Sequence, residues 1–205
     1  LGTPLLYESY EGMEYKPRPN QNIKRFGNTI KINNASMRTS YDIVRKNLKE
    51  KKRILIFGDS VLFGTSLIDQ EKIATSLLGN KIKDKYEIYN ISAGSWGPGN
   101  WVQYIKENGL FNSDKVIFLI NSMDLVDLTS KNFQISETNM ATSNPPFAIW
   151  ELMNRYIIPK AKREFKNKFI RFQNKNNIKN DFIMEPYINE GILNLNEAIS
   201  LVQTN

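Results

Sequence analysis

Between residues 53 and 121 the chain alternates short apolar runs with segments of helical period. RILIF (53–57), YEIYNIS (86–92) and KVIFLIN (115–121) have strand length. The first and third are apolar almost throughout, the pattern of strands buried on both faces. Between the first two runs, SLIDQEKIATSLLGNKI (66–82) sets Ile73, Leu77 and Leu78 at helical spacing, with Gly79 and Asn80 as stop signals. NWVQYIKENGLF (100–111) reads as a second helix, ended at Gly109. Strand, helix, strand, helix, strand predicts parallel pairing through right-handed crossovers. The expected fold class is α/β, a three-layer α/β/α arrangement around a mostly parallel sheet of the flavodoxin-like kind.

The flanks read differently. Residues 1–50 form an extended N-terminal arm that packs on the core, and residues 51–205 form the α/β domain. Pro4, Pro17 and Pro19 among tyrosines predict extended coil at the start of the arm. A short strand is expected from Thr29 to Ile32, ending in a polar turn at Asn33 and Asn34. YDIVRKNLKEKK (41–52) has room for a short helix. Beyond Leu128, SKNFQISETNMATSNPP (130–146) is polar and turn-rich, an excursion. FAIWELMNRYIIPKAKREFKNKFIRF (147–172) is mostly helical, kinked or broken at Pro159, and a last helix covers Asn194 to Gln203. A doubly wound sheet goes on to another strand at this point. None is written, so the expectation is a sequence that stops before its fold does.

Composition narrows the chemistry. With 205 residues, 40% of them hydrophobic and 24% charged, the chain suits a globular domain. It holds 28 basic and 21 acidic residues, a net charge of +7. The excess is spread out, from Lys46 and Lys49 through Lys81, Lys83 and Lys85 to a stripe between Lys160 and Lys179, and no nucleic-acid motif organises it. Phe165, Phe169 and Phe172 within that stripe fall at i, i+4 and i+7, the spacing of a helix's core face rather than a base-stacking ladder. Contact of the stripe with an acidic polymer or a membrane surface is the minority reading. There is no histidine and no cysteine, which removes disulfides and the usual zinc sites. No run is long enough to cross a bilayer. The first residue is not Met, which leaves room for a leader or anchor removed from the N-terminus.

In an open parallel sheet, ligands bind outside the carboxyl ends of the strands. Three polar turns follow the three strands: Gly58-Asp59-Ser60, then NISAGSWGPGN (90–100), then NSMDLVD (121–127). Each alone is an ordinary cap. In this order they resemble the SGNH/GDSL hydrolase superfamily over about residues 53–128, and the arm and PPFAIWELMNRYIIP (145–159) look like exported bacterial members.

The resemblance implies Ser60 as nucleophile, with Asp59 beside it. It also implies a backbone N–H donor at Gly94 or Ser95, and Asp124 in the third block. The family's oxyanion asparagine falls on Met123, which has no hydrogen to donate, so Asn121 is the nearest substitute. Trp96 is a candidate for contact with a sugar, or ordinary packing. Asp124 and Asp127 also read as a cap pair. The family's late Asp-x-x-His block is absent, for which three explanations stand in order: a fragment, a non-catalytic relative, or another base such as Asp124 or Asp127.

The reading implied is a serine esterase or O-acyltransferase acting on acyl esters of carbohydrate, acetyl included, extracytoplasmic and without a cofactor. The alternative is a non-catalytic binding protein for a carbohydrate or acylated ligand. A doubly wound nucleotide or flavin binder ranks third, because GDSVLFG is a poor phosphate loop.

Overall fold

The computed structural model describes residues 5–44, 51–129, 135, 140–141, 146–164 and 185–204. The chain is mixed α/β around a parallel three-stranded sheet. The arm holds β1 (Tyr7–Tyr10), β2 (Glu14–Pro17), β3 (Gln21–Arg25) and β4 (Asn28–Ile32). Then follow β5 (Lys52–Gly58), α1 (Ser60–Phe63), α2 (Ala74–Ile82), β6 (Tyr86–Ser92), α3 (Pro98–Asn108), β7 (Lys115–Phe118), α4 (Ala148–Glu151) and α5 (Glu185–Gln203).

The sheet order is β6–β5–β7. Pairing runs in parallel from Lys52↔Tyr86 to Gly58↔Ser92 on one side of β5, and from Ile54↔Lys115 to Phe57↔Phe118 on the other. The second strand thus lies on one side of the first and the third on the other, which makes the carboxyl ends of β5 and β7 a topological switch point. Leu55, Phe57, Tyr89 and Ile91 pack with Trp101, Tyr104 and Ile105 of α3. Ile54, Ile56 and Ile88 pack with Leu62 of α1 and Ile82 of α2.

β5 is buried almost end to end, as its apolar run predicts, and so is β6, whose mixed run does not announce it. β7 is not: its burial alternates, and Ile117, Leu119 and Ile120 stay exposed, because the strand pairs on one side only among the described residues. α3 follows expectation, with Pro98 at its first position and Gly109 at its C-cap in a positive-φ conformation. α2 runs through Gly79 and Asn80 to Ile82 and leaves Leu77 and Leu78 exposed, so the stop signals fail. A helical glycine costs only about 1 kcal/mol against alanine, too little to end a helix that packs on β6.

The arm corrects the sequence reading most. It is two antiparallel hairpins rather than coil, β1 with β2 and β3 with β4. Pro17 is tolerated because it closes a two-stranded ribbon, where its missing N–H interrupts nothing. The Asn33 turn is as expected, its side-chain carbonyl accepting from the N–H groups of Ala35 and Met37. Residues 41–44 are not helical, and 45–50 lie outside the described residues.

Further on, the arm seals the free edge of β6. The Tyr41 hydroxyl donates to Ile88 O (2.7 Å) and accepts from Ile88 N (3.0 Å). Arg38 N donates to Asn90 O (2.9 Å), and Asn90 N to the Thr39 hydroxyl (3.1 Å). An otherwise open sheet edge is thereby closed to other strands.

α4 leads into a wide π-helical turn, Leu152–Ile157, before helix resumes over 158–164. Pro159 has no N–H for the carbonyl of residue 155 and crowds it, which loosens the ladder just ahead of it without breaking the helix. α5 begins nine residues before Asn194, at Glu185. Phe165, Phe169, Phe172 and the basic stripe beyond residue 164 lie outside the described residues, as does most of 130–146.

Candidate functional site

Ser60 opens α1 directly off the carboxyl end of the central strand and is half-buried. Asp59 is the N-cap: its Oδ1 accepts from Val61 N at 2.8 Å. Gly64, left-handed at φ 76, closes the four-residue turn by donating to Ser60 O. The chain therefore turns sharply at the strand end, with Ser60 in the bend.

The third turn meets the first through Asn121. Its amide donates to Asp59 Oδ2 (2.9 Å) and to Asp124 Oδ1 (2.8 Å). Its backbone N–H donates to Asp124 Oδ2 (2.9 Å), and its side-chain Oδ1 accepts from Met123 N (2.7 Å). Carboxylates only accept, so the amide's orientation is set by its partners. Both amide hydrogens are engaged, so Asn121, a candidate for substrate contact, ties the turns together instead. Met123 is exposed, and its backbone N–H is engaged by Asn121.

The second turn meets the third at Gly97. A Cβ there would stand 2.6 Å from Asp127 O and 2.7 Å from Asp124 O, so only glycine permits the approach. The Ser95 side chain lies beside the Asp127 carboxylate and lowers its pKa. The three turns thus form one contiguous rim.

Asp59, Asp124 and Asp127 share this rim. Burial raises the Asp124 carboxyl above its usual range and the charge of Asp59 adds to it, while hydrogen bonds from Asn121 oppose. Asp127 is raised by burial first and then by Asp59, with the Ser95 hydroxyl opposing. A carboxylate with a raised pKa is a stronger base than an ordinary one. No group of His, Cys, Asp or Glu among the described residues could hold a metal ion. None of the described residues hydrogen-bonds the Ser60 hydroxyl, and the chain has no histidine.

The arm supplies what sequence reasoning missed. Tyr15 donates its hydroxyl to the Gly94 carbonyl, and the Tyr7 hydroxyl lies beside the Gly94 backbone, which lowers its pKa. Burial pushes Tyr7 up to about 12 and raises Tyr15 as well, so both stay protonated at neutral pH. Beside Gly94, Ser95 is exposed and left-handed at φ 52, a conformation that glycine favours.

Trp96 does not line a cleft. It is fully buried and its indole N–H donates to Tyr15 O at 3.0 Å, which makes it core. Asn100 Nδ2 donates to Met13 O (2.9 Å) and its Oδ1 accepts from Gly97 N (2.9 Å), completing the arm's hold on the second turn. No local pattern announces these contacts, because the partners are about eighty residues apart.

A separate cavity of about 320 Å³, lined among others by Tyr41, Thr75, Lys83 and Glu87, takes no residue from the three turns. The chain matches no family model and no curated protein.

Proposed function

We propose that the rim at the carboxyl ends of β5 and β7 is the site of an SGNH-type serine esterase or O-acyltransferase, built on a three-layer α/β/α fold. The observation that carries this reading is the contact of all three turns around the strand end that bears Ser60. The Ser60 hydroxyl attacks the acyl carbonyl of an ester of carbohydrate, acetyl included, outside the cytoplasm. Its proton passes to a rim carboxylate, Asp127 or Asp124, as the Oγ–C bond forms. Collapse of the tetrahedral adduct expels the alcohol, which takes up a proton. Water then releases the acyl group in hydrolysis, and a sugar hydroxyl accepts it in transfer. The N–H groups of Ser60 and Ser95 face the oxyanion. An asparagine donor is lacking at Met123, and loss of one such donor costs about 2.7–4 kcal/mol of transition-state stabilisation. Turnover is accordingly slow.

A second reading, a pocket that binds an acylated or carbohydrate ligand without turnover, is favoured by the engagement of both Asn121 amide hydrogens with carboxylates.

A fluorophosphonate probe and a short aryl acetate separate the two. The esterase reading expects covalent labelling at Ser60, slow acetate release, and loss of both in Ser60→Ala with unchanged melting. Absence of Ser60 labelling, with saturable binding of an acetylated oligosaccharide, overturns it in favour of the binding reading. A fast rate dependent on Ser60 would refute the expected handicap.

A further inference from the structure

We propose that α4 and the cations that follow it form a docking surface for an anionic lipid bilayer, with the helix lying in the plane of the interface. Ile149, Trp150, Leu152, Met153, Tyr156 and Ile157 are all exposed, Ile149 at 70% and Trp150 at 53%. Ile149, Met153 and Ile157 recur at i, i+4 and i+8, so the side chains gather into a stripe rather than scatter as single surface residues. The one acid of the first turn, Glu151, is buried.

Immediately beyond the stripe come Lys160, Lys162 and Arg163, all exposed, against the single acid Glu164. Apolar and aromatic side chains on a helix flanked by cations are the composition of an interfacial helix. Tryptophan and tyrosine favour the headgroup level, where the ring is buried and its polar atom stays wet. A cation cluster adds nothing to burying this stripe in an apolar protein groove, whereas it complements anionic headgroups. No described helix is long and apolar enough to cross a membrane, in keeping with a helix that lies on the surface.

The chain has three tryptophans, and Trp96 and Trp101 are fully buried, so a change in tryptophan emission on adding vesicles reports Trp150. The full chain is titrated with vesicles of phosphatidylglycerol and phosphatidylcholine, and with phosphatidylcholine alone, and co-sedimentation is measured alongside. The expected result is a blue shift and co-sedimentation with the anionic vesicles, both weakened by salt. Each cation near an anionic surface contributes roughly a fivefold change in affinity. Replacing Lys160, Lys162 and Arg163 by Gln therefore lowers affinity for the anionic vesicles by roughly a hundredfold and leaves the weak affinity for the neutral ones unchanged. The double substitution Ile149→Glu and Ile157→Glu abolishes both signals without shifting the melting temperature, since both residues are exposed.

Absence of shift and co-sedimentation at low salt overturns the proposal, and so does binding indifferent to the three cations. A concentration-dependent dimer, lost in the Ile149→Glu/Ile157→Glu variant and unaccompanied by vesicle binding, overturns it in favour of an interface between copies. The outcome is independent of whether Ser60 labels.

Discussion

Arg38 is the residue whose replacement by lysine tests most sharply how the arm holds the Ser60 turn. Its side chain is fully buried. One guanidinium nitrogen donates to Phe63 O and to Thr65 O (2.5 Å), and the other to Ile68 O (2.6 Å). Its cationic carbon stands 4.9 Å from the centre of the Phe63 ring. The segment that leaves α1 is thus held from the arm at three carbonyls, in a fork that a lysine ammonium cannot reproduce. Lysine reaches one carbonyl, or two at the cost of geometry. A hydrogen bond to a charged group is worth about 1.5–3 kcal/mol net, so losing two amounts to roughly 3–6 kcal/mol. Water reaches Thr65 and Ile68, both exposed, and lowers the figure to roughly 2–4 kcal/mol. For a domain of this size that is a fall in melting temperature of roughly 5–15 °C. Arg38→Met keeps much of the volume and removes the cost of a buried charge, but leaves the buried Phe63 carbonyl unpaired and the other two to water, so it falls in the same range. Thermal and urea melts measure both variants, and the labelling rate at Ser60 reports whether the freed segment disturbs the turn. If Arg38→Lys melts within a degree of the parent, the three carbonyls do not depend on the fork and the reasoning is wrong.

Two further outcomes follow from the rim. A Cβ at Gly191 would stand 2.0 Å from Leu125 O, so Gly191→Ala pushes α5 off the third turn and lowers stability by about 1–3 kcal/mol; since the same change in an unobstructed helix raises stability by about 1 kcal/mol, a gain on melting would show that the approach is not there. Asp127 titrates above its ordinary value because of burial and the charge of Asp59. The native state therefore holds that proton more tightly than the unfolded chain, a contribution present below the ordinary carboxylate value and lost as pH rises through the raised one. Asp127→Asn is expected to be more stable than the parent in urea at neutral pH, with the advantage fading towards pH ~3–4; an advantage equal at both pH values would mean that ionisation is not its cause.

What was legible in the sequence followed from local physics. The apolar run at 53–57 reads as a strand buried on both faces and 86–92 as a second strand, and Pro98 and Gly109 bracket α3. Parallel order then puts the three turns at one edge whatever their side chains do, which is why Asp59, Ser60 and Asp124 were visible before any coordinates. β7 misled because an apolar run reports propensity to be buried, not whether a neighbour is there to bury it. Trp96 misled for a related reason: in a glycine-rich turn it reads as exposed, and only the carbonyl of Tyr15, 81 positions away, makes its burial affordable.

The arm is where local reading fails most and where the rim takes its shape. β1 and β2 carry Glu8, Glu14 and Lys16 among their tyrosines, so no clean alternation marks them as strands. Yet Tyr15 holds the carbonyl of Gly94 with Tyr7 beside it, and Trp96 and Asn100 anchor the rest of the second turn to the same hairpin. The hairpin therefore fixes the path of that turn, with Ser95 at its exposed point. Since the Ser95 side chain also lies beside the Asp127 carboxylate, the arm bears on the surroundings of that carboxylate as well. An extended segment with no motif of its own thus sets the geometry on which any chemistry at Ser60 depends.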